Sequence, residues 1–181
     1  MKLKSLVFTV FAADRPGIVR ALSDVVLKTQ GNWLESSLSR LGGQFAGIVH
    51  ITIPEENYNS LQEALTALKD ESIEVVLHTS VDVTATTNPD DKVPLEVVVE
   101  ANDRQGIVEE VTSALSSAHI NVEQIETECI SAAMAGYDLF RAYMEVSLPD
   151  EYTIDQLETL LEGVSDDLVV HIVTDDSVLE D

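Results

Sequence analysis

Leu6, Phe8, Val10 and Ala12 alternate with Val7, Thr9 and Phe11, a period of two that predicts a strand with one face toward a core. Ile18, Leu22, Val25 and Val26 then follow at the spacing of one apolar helix face. Val49, Ile51 and Ile53 alternate with Ile48, His50 and Thr52, which predicts another half-buried strand. Leu61, Ala64, Leu65 and Leu68 have helical spacing, and the β-rich run Glu74-Val75-Val76-Leu77-His78 can close the unit as a last strand.

The same pattern returns later in the chain. Leu95, Val97, Val99 and Ala101 stand 89 residues after Leu6, Phe8, Val10 and Ala12, and Ile107, Val111, Ala114 and Leu115 stand 89 after the first helix face. Asn32 falls on Asn121 and Ala46-Gly47 on Ala135-Gly136, so the register survives for about forty residues, a self-similarity that marks a repeat. It then slips by several residues, and Ile53-Pro54-Glu55 matches Leu148-Pro149-Asp150. Phe140, Ala142, Met144, Val146 and Leu148 form the matching strand face, Ile154, Leu157, Leu161 and Val164 the matching helix, and Asp167-Leu168-Val169-Val170-His171 the closing strand. Each half spells βαββαβ. The expected fold is α+β: two ferredoxin-like modules, each a four-stranded antiparallel sheet with two helices on one face. The other sheet face is left for a neighbouring module or a partner.

The boundaries expected are residues 1–83 for the first module, 84–93 for a polar, proline-containing linker, 94–174 for the second module and 175–181 for an acidic tail. A basic start followed by Leu6 to Ala13 imitates a signal peptide, but this stretch is the counterpart of an internal strand and is expected to stay in a cytoplasmic protein's core. No apolar run reaches the roughly 20 residues needed to cross a bilayer, so no membrane association is expected.

Thirty-three acidic against ten basic residues give a formal charge of -23, which repels phosphate backbones and argues against direct nucleic-acid binding. Cys129 is the single cysteine, which forbids an intrachain disulfide and reads as a core thiol. His50, His78, His119 and His171 are scattered, so no metal site and no cofactor is expected. Glu96 and Glu100, like Glu126 and Glu128, project on one strand face; acid–base work there is conceivable, and a solvated face is the simpler reading. Trp33 and the other aromatics do not interleave with basic residues as a nucleic-acid platform would. No phosphate loop, zinc helix, paired-Cys motif or nucleophile elbow occurs, and the chain reads as non-enzymatic.

One motif is repeated with its chemistry. Asp14-Arg15-Pro16-Gly17-Ile18-Val19 returns as Asp103-Arg104-Gln105-Gly106-Ile107-Val108, where the first strand of each half meets its first helix. First-turn amides are unpaired and lie at the positive end of the helix, so they can hold a carboxylate, and glycine permits close approach. Asp14 and Asp103 are expected to cap those amides. A capped tight turn with no ligand explains either loop taken singly.

These loops resemble those of the ACT domain family, with Asp-Arg-Pro-Gly-Ile-type sequences at this place, and the likeness runs from about Leu3 to Val83 and from Pro94 to Val173. Ile120-Asn121-Val122-Glu123, Ala133-Met134-Ala135-Gly136 and Leu139-Phe140-Arg141 resemble the second repeat of the glycine cleavage system transcriptional repressor family. The resemblance implies a small amino acid, glycine favoured, bound between paired modules, and indirect control of transcription through a partner activator protein rather than through DNA. It implies ligand-binding residues Asp14, Arg15, Pro16, Gly17, Ile18 and Val19, and Asn102, Asp103, Arg104, Gln105, Gly106, Ile107 and Val108, with Asn32 and Asn121 at the starts of the second strands. The asparagines read equally well as turn residues. Gln105 replaces Pro16 in the second loop, leaving open one pocket or two. A homo-oligomer fits the family, and a ligand-independent interaction adaptor is the alternative function.

Overall fold

A computed structural model describes residues 2–78, 93–132 and 137–173. Contacts divide the chain into two units, Met1–Asn88 and Pro89–Asp181, each considered by itself below. The expected linker residues 84–92, the tail 175–181 and the Ala133–Gly136 stretch lie outside the described residues.

In the first unit, β1 (Leu3–Ala13) leads to α1 (Ile18–Lys28), β2 (Asn32–Leu41), β3 (Gln44–Pro54), α2 (Tyr58–Ala67) and β4 (Ile73–His78), with short 3-10 turns at Glu55–Asn57 and Leu68–Glu71. The strands are ordered β2-β3-β1-β4. The second unit repeats this: β5 (Leu95–Asn102), α3 (Ile107–Ser117), β6 (Asn121–Ala132), β7 (Tyr137–Ser147), α4 (Ile154–Glu162) and β8 (Val169–Val173), ordered β6-β7-β5-β8. All observed pairings are antiparallel, so each unit is a four-stranded antiparallel sheet carrying two helices.

The alternation read from sequence sorts the faces. Leu6, Phe8, Val10 and Ala12 on β1, with Val49, Ile51 and Ile53 on β3, pack against Ile18, Leu22 and Val26 of α1 and Leu61 and Leu65 of α2. Val97, Val99 and Ala101, with Phe140, Ala142, Met144 and Val146, do the same against α3 and α4. Full burial of each such aliphatic side chain stabilises the fold by about 1.5–3 kcal/mol before entropy is charged. α4 starts on a complete capping box, in which the Thr153 hydroxyl accepts from the Gln156 amide and the Gln156 side chain accepts from the Thr153 amide. The repeat extends to its irregularities. β2 bulges between Trp33 and Glu35, β6 between Val122 and Gln124, again 89 residues apart.

The sheet faces away from the helices differ. In the first unit Phe11, Ile48 and Val76 are about half exposed, and His50, on the same face opposite Val7, is buried. Both His50 ring nitrogens are engaged, one 2.6 Å from Ser5 Oγ and the other 2.8 Å from Glu35 Oε1, so this buried polar group is satisfied. In the second unit the face is acidic. Glu96 lies opposite Glu145, Glu126 opposite Tyr143, and Arg141 grips Glu100 while lying 3.4 Å from Glu128. Cys129 is exposed, not a core thiol. It shares the helix-facing side of the sheet with its cross-strand partner Phe140, but β6 is the edge strand and the thiol is left exposed there.

Candidate functional site

The two repeated loops share a backbone. Gly17 and Gly106 are the N-cap residues of α1 and α3, both left-handed at φ 98° and 91°, where a side chain is strained. Their carbonyls accept the first helical hydrogen bonds, from the amides of Ala21 at 2.9 Å and Glu110 at 3.0 Å. Ile18 and Ile107 anchor the helix starts in the cores, while Val19 and Val108 stay exposed at the rims.

The expected aspartate caps are absent. With glycine at each N-cap, the aspartates sit three residues earlier and serve the opposite side of the turn. The Asp14 amide donates to the Gly43 carbonyl at 2.9 Å and its carboxylate lies 3.6 Å from Arg40. The Asp103 amide donates to the Asp138 carbonyl at 2.8 Å. Its carboxylate adjoins Cys129, whose thiol is pushed up from its ordinary range by desolvation first and then by the charge and hydrogen bond of Asp103.

The arginines divide the loops. Arg15 turns outward and donates to the Glu71 carbonyl at 2.8 Å. Arg104 folds onto its own helix and forks both guanidinium nitrogens on Glu110, at 2.7 and 2.5 Å. That bidentate bond holds the Glu110 carboxyl below its ordinary range and raises Arg104. The second loop thus carries a carboxylate of its own in the first turn, with Glu109 beside it, whereas the first turn of α1 has no acidic residue. A Cβ built on Gly17 meets nothing within 4 Å, and one on Gly106 meets Glu110 Oε1 at 3.8 Å. Pro16 and Gln105 occupy the same turn position in the two loops.

The asparagines do not join the loops within a module. Asn32 pairs across β3 in the row of Ser5, eight ladder rows from Ala13, which is about 26 Å along the strands. Asn121 pairs with Ser147 and Asn102 with Leu139, again eight rows apart. The side chain of Asn121 donates to Glu123 at 2.6 Å.

Asp167, which the sequence places in the closing strand, precedes β8 and fixes the second loop's start. It accepts the Asn102 amide at 3.1 Å and the Ser165 hydroxyl at 2.7 Å. Those bonds, Ser165 first, hold its carboxyl below the ordinary 3.8. A depressed carboxyl contributes stability that is complete above that ordinary value and is lost as pH falls through the folded pKa. Asp167→Ala should therefore lower the urea midpoint of the second module at pH 7, and the gap to wild type should close as the pH drops below 3.8.

Among the described residues no three His, Cys, Asp or Glu side chains converge as metal ligands, and no helix is long and apolar enough to cross a membrane.

Residues 4–78 match the ACT domain family model. No curated protein matches the chain in sequence. Among solved structures, a protein of unknown function from Galdieria sulphuraria is 28% identical, covering 96% of this chain and 100% of its own, with a TM-score of 0.76. A "putative glycine cleavage system transcriptional repressor" is 18% identical over 97% of this chain and 100% of its own, with a TM-score of 0.72, a likeness of fold. The duplicated strand-loop-helix geometry and the family match lead to one assignment: residues 4–78 are an ACT domain, and the second module repeats its fold.

Proposed function

We propose that this protein is a non-enzymatic regulator in the cytoplasm that binds a small amino acid, glycine first among candidates, and modulates transcription through a partner regulatory protein. The observation that carries the reading is the first loop, where Gly17 leaves open space at the amide end of α1 and no carboxylate of the first turn competes for it. An amino acid's acid group suits those amides. The second loop, with Glu110 at the same position, is the weaker candidate. The likeness to a glycine cleavage repressor supports glycine as the first ligand to try.

Glycine at a hundred times its dissociation constant should stabilise the fold by about 2.7 kcal/mol. For a chain of this size that is a melting shift of roughly 5 to 11 °C. Gly17→Val should abolish the shift by filling the approach to the amides, while Gly106→Val, which carries the same backbone cost, should keep it. A thermal panel of free amino acids with no response at millimolar concentration would end this reading.

A ligand-independent adaptor is favoured by a different observation, the exposed apolar trio Phe11, Ile48 and Val76 on the first module's uncovered sheet face. Partner capture that is indifferent to added amino acid would select it.

A further inference from the structure

Beside the first loop, α1 and the 3-10 turn Leu68–Glu71 enclose a groove of about 350 Å³. Leu68, Val25 and the loop's Gly17 line it together with the cations Arg15, Arg20 and Lys28. These are three of only ten basic residues in a chain of charge -23. Arg15 is held at 2.8 Å by the Glu71 carbonyl, which fixes its guanidinium in the wall. Asp24 and Glu71 also line the groove, so its own charge is +1 by simple count. Glu71 lies 3.8 Å from Arg15, whereas no ion pair engages Arg20 or Lys28 among the described residues. Cations left unpaired within an acidic protein create a local potential that draws anions.

The duplicated module serves as an internal control. At the offset of 89, Arg20 becomes Glu109 and Lys28 becomes Ser117, while Arg104, the counterpart of Arg15, is consumed by Glu110. The fold therefore does not require these charges, and at equivalent positions the second module does not carry Arg20 or Lys28.

We propose that this groove is a binding site for a short-chain dicarboxylate, one acid group taken by Arg15 and Arg20 and the other by Lys28. Arginine's planar fork suits a carboxylate, and lysine serves as a point charge at the far end. Arg20 and Lys28 stand eight residues apart on α1, about 12 Å along its axis, a span that long side chains close around two separated acid groups but not around one. Gly17 and Arg15 belong to both this groove and the first loop, so the two readings share residues, but the dicarboxylate is held by side-chain cations and the amino acid by amides.

Titration of the full chain with succinate at constant ionic strength, read by calorimetry, tests it. Saturable binding is expected, at least tenfold tighter than acetate or inorganic phosphate, and at least tenfold weaker in Arg20→Gln/Lys28→Gln. The pair Lys2→Gln/Lys4→Gln, which removes the same charge at the start of β1, should bind as wild type does. No saturable succinate binding would overturn the proposal. Equal binding of acetate or phosphate would overturn the two-headed site, and equal loss in both double variants would reduce the effect to bulk charge. A glycine response that survives while succinate fails would sink this inference and leave the loop reading standing.

Discussion

Phe8→Ala is expected to cost the first module about 3–5 kcal/mol, the range for removing a large aromatic side chain from a packed core. Phe8 is fully buried at the centre of β1, its ring edge-on to Trp33 at a centroid distance of 6.3 Å. Aromatic pairs in this geometry add about 0.5–1.5 kcal/mol beyond the area they bury. The cavity would open between the sheet and α1, where Leu22 also has no exposure, and rigid strands on either side cannot collapse to fill it. At about 4–8 °C per kcal/mol for a module of this size, its thermal transition should fall by more than about 12 °C or vanish. Scanning calorimetry of the full chain checks this. An unchanged first transition would mean that the module's core is not where the burial pattern puts it.

Gly47→Ala should be nearly as damaging for a different reason. A Cβ at that position would lie 2.0 Å from the Ser37 carbonyl oxygen and 2.7 Å from the Leu38 Cα, both backbone atoms of the neighbouring strand. Backbone cannot swing aside as a side-chain tip can, so β2 must separate from β3 around the Leu38–Gly47 pair. Overpacking a tight site usually costs about 1–3 kcal/mol, and displacing a paired strand puts this case at about 3 kcal/mol or more. Hydrogen exchange should show the loss concentrated on the amides of β2, which sits at the sheet edge with β3 as its one neighbour. Uniform protection across β2 in the variant would refute the close approach.

Much of this architecture was legible because the duplication repeats every period twice. Leu6, Phe8, Val10 and Ala12 name a buried strand face, and their partners 89 residues on name it again. Where local spacing stops deciding, the reading stops too. Nothing in the sequence around Gln30 or His119 announces a left-handed residue, yet both adopt one at φ 60° and 56°, at equivalent positions after α1 and α3. Tight helix-to-strand connection imposes it. Cys129 reads as core and does share a face with buried Phe140, yet it is exposed because β6 is the edge strand, a place set by sheet order rather than by neighbours in sequence.

The candidate site was legible as a motif and not as a geometry. The crossover through α1 makes β2 run the same way as β1, so Asn32 starts at the end where β1 starts, far from Gly17. That separation follows from topology and could have been drawn from the βαββαβ order. The lock between Arg104 and Glu110 could not, because two identical Asp-Arg starts gave no sign that one arginine would turn outward to Glu71 and the other inward to its own helix.

The uncovered sheet faces give the duplication its polarity. The interiors of the two halves are near copies, but one outer face offers the oil of Phe11, Ile48 and Val76, the other a picket of glutamates stitched by Arg141. A macromolecule reading these surfaces can tell the leading half from the trailing half without any difference in backbone. Repetition of the fold is thereby combined with two surfaces that no partner would confuse.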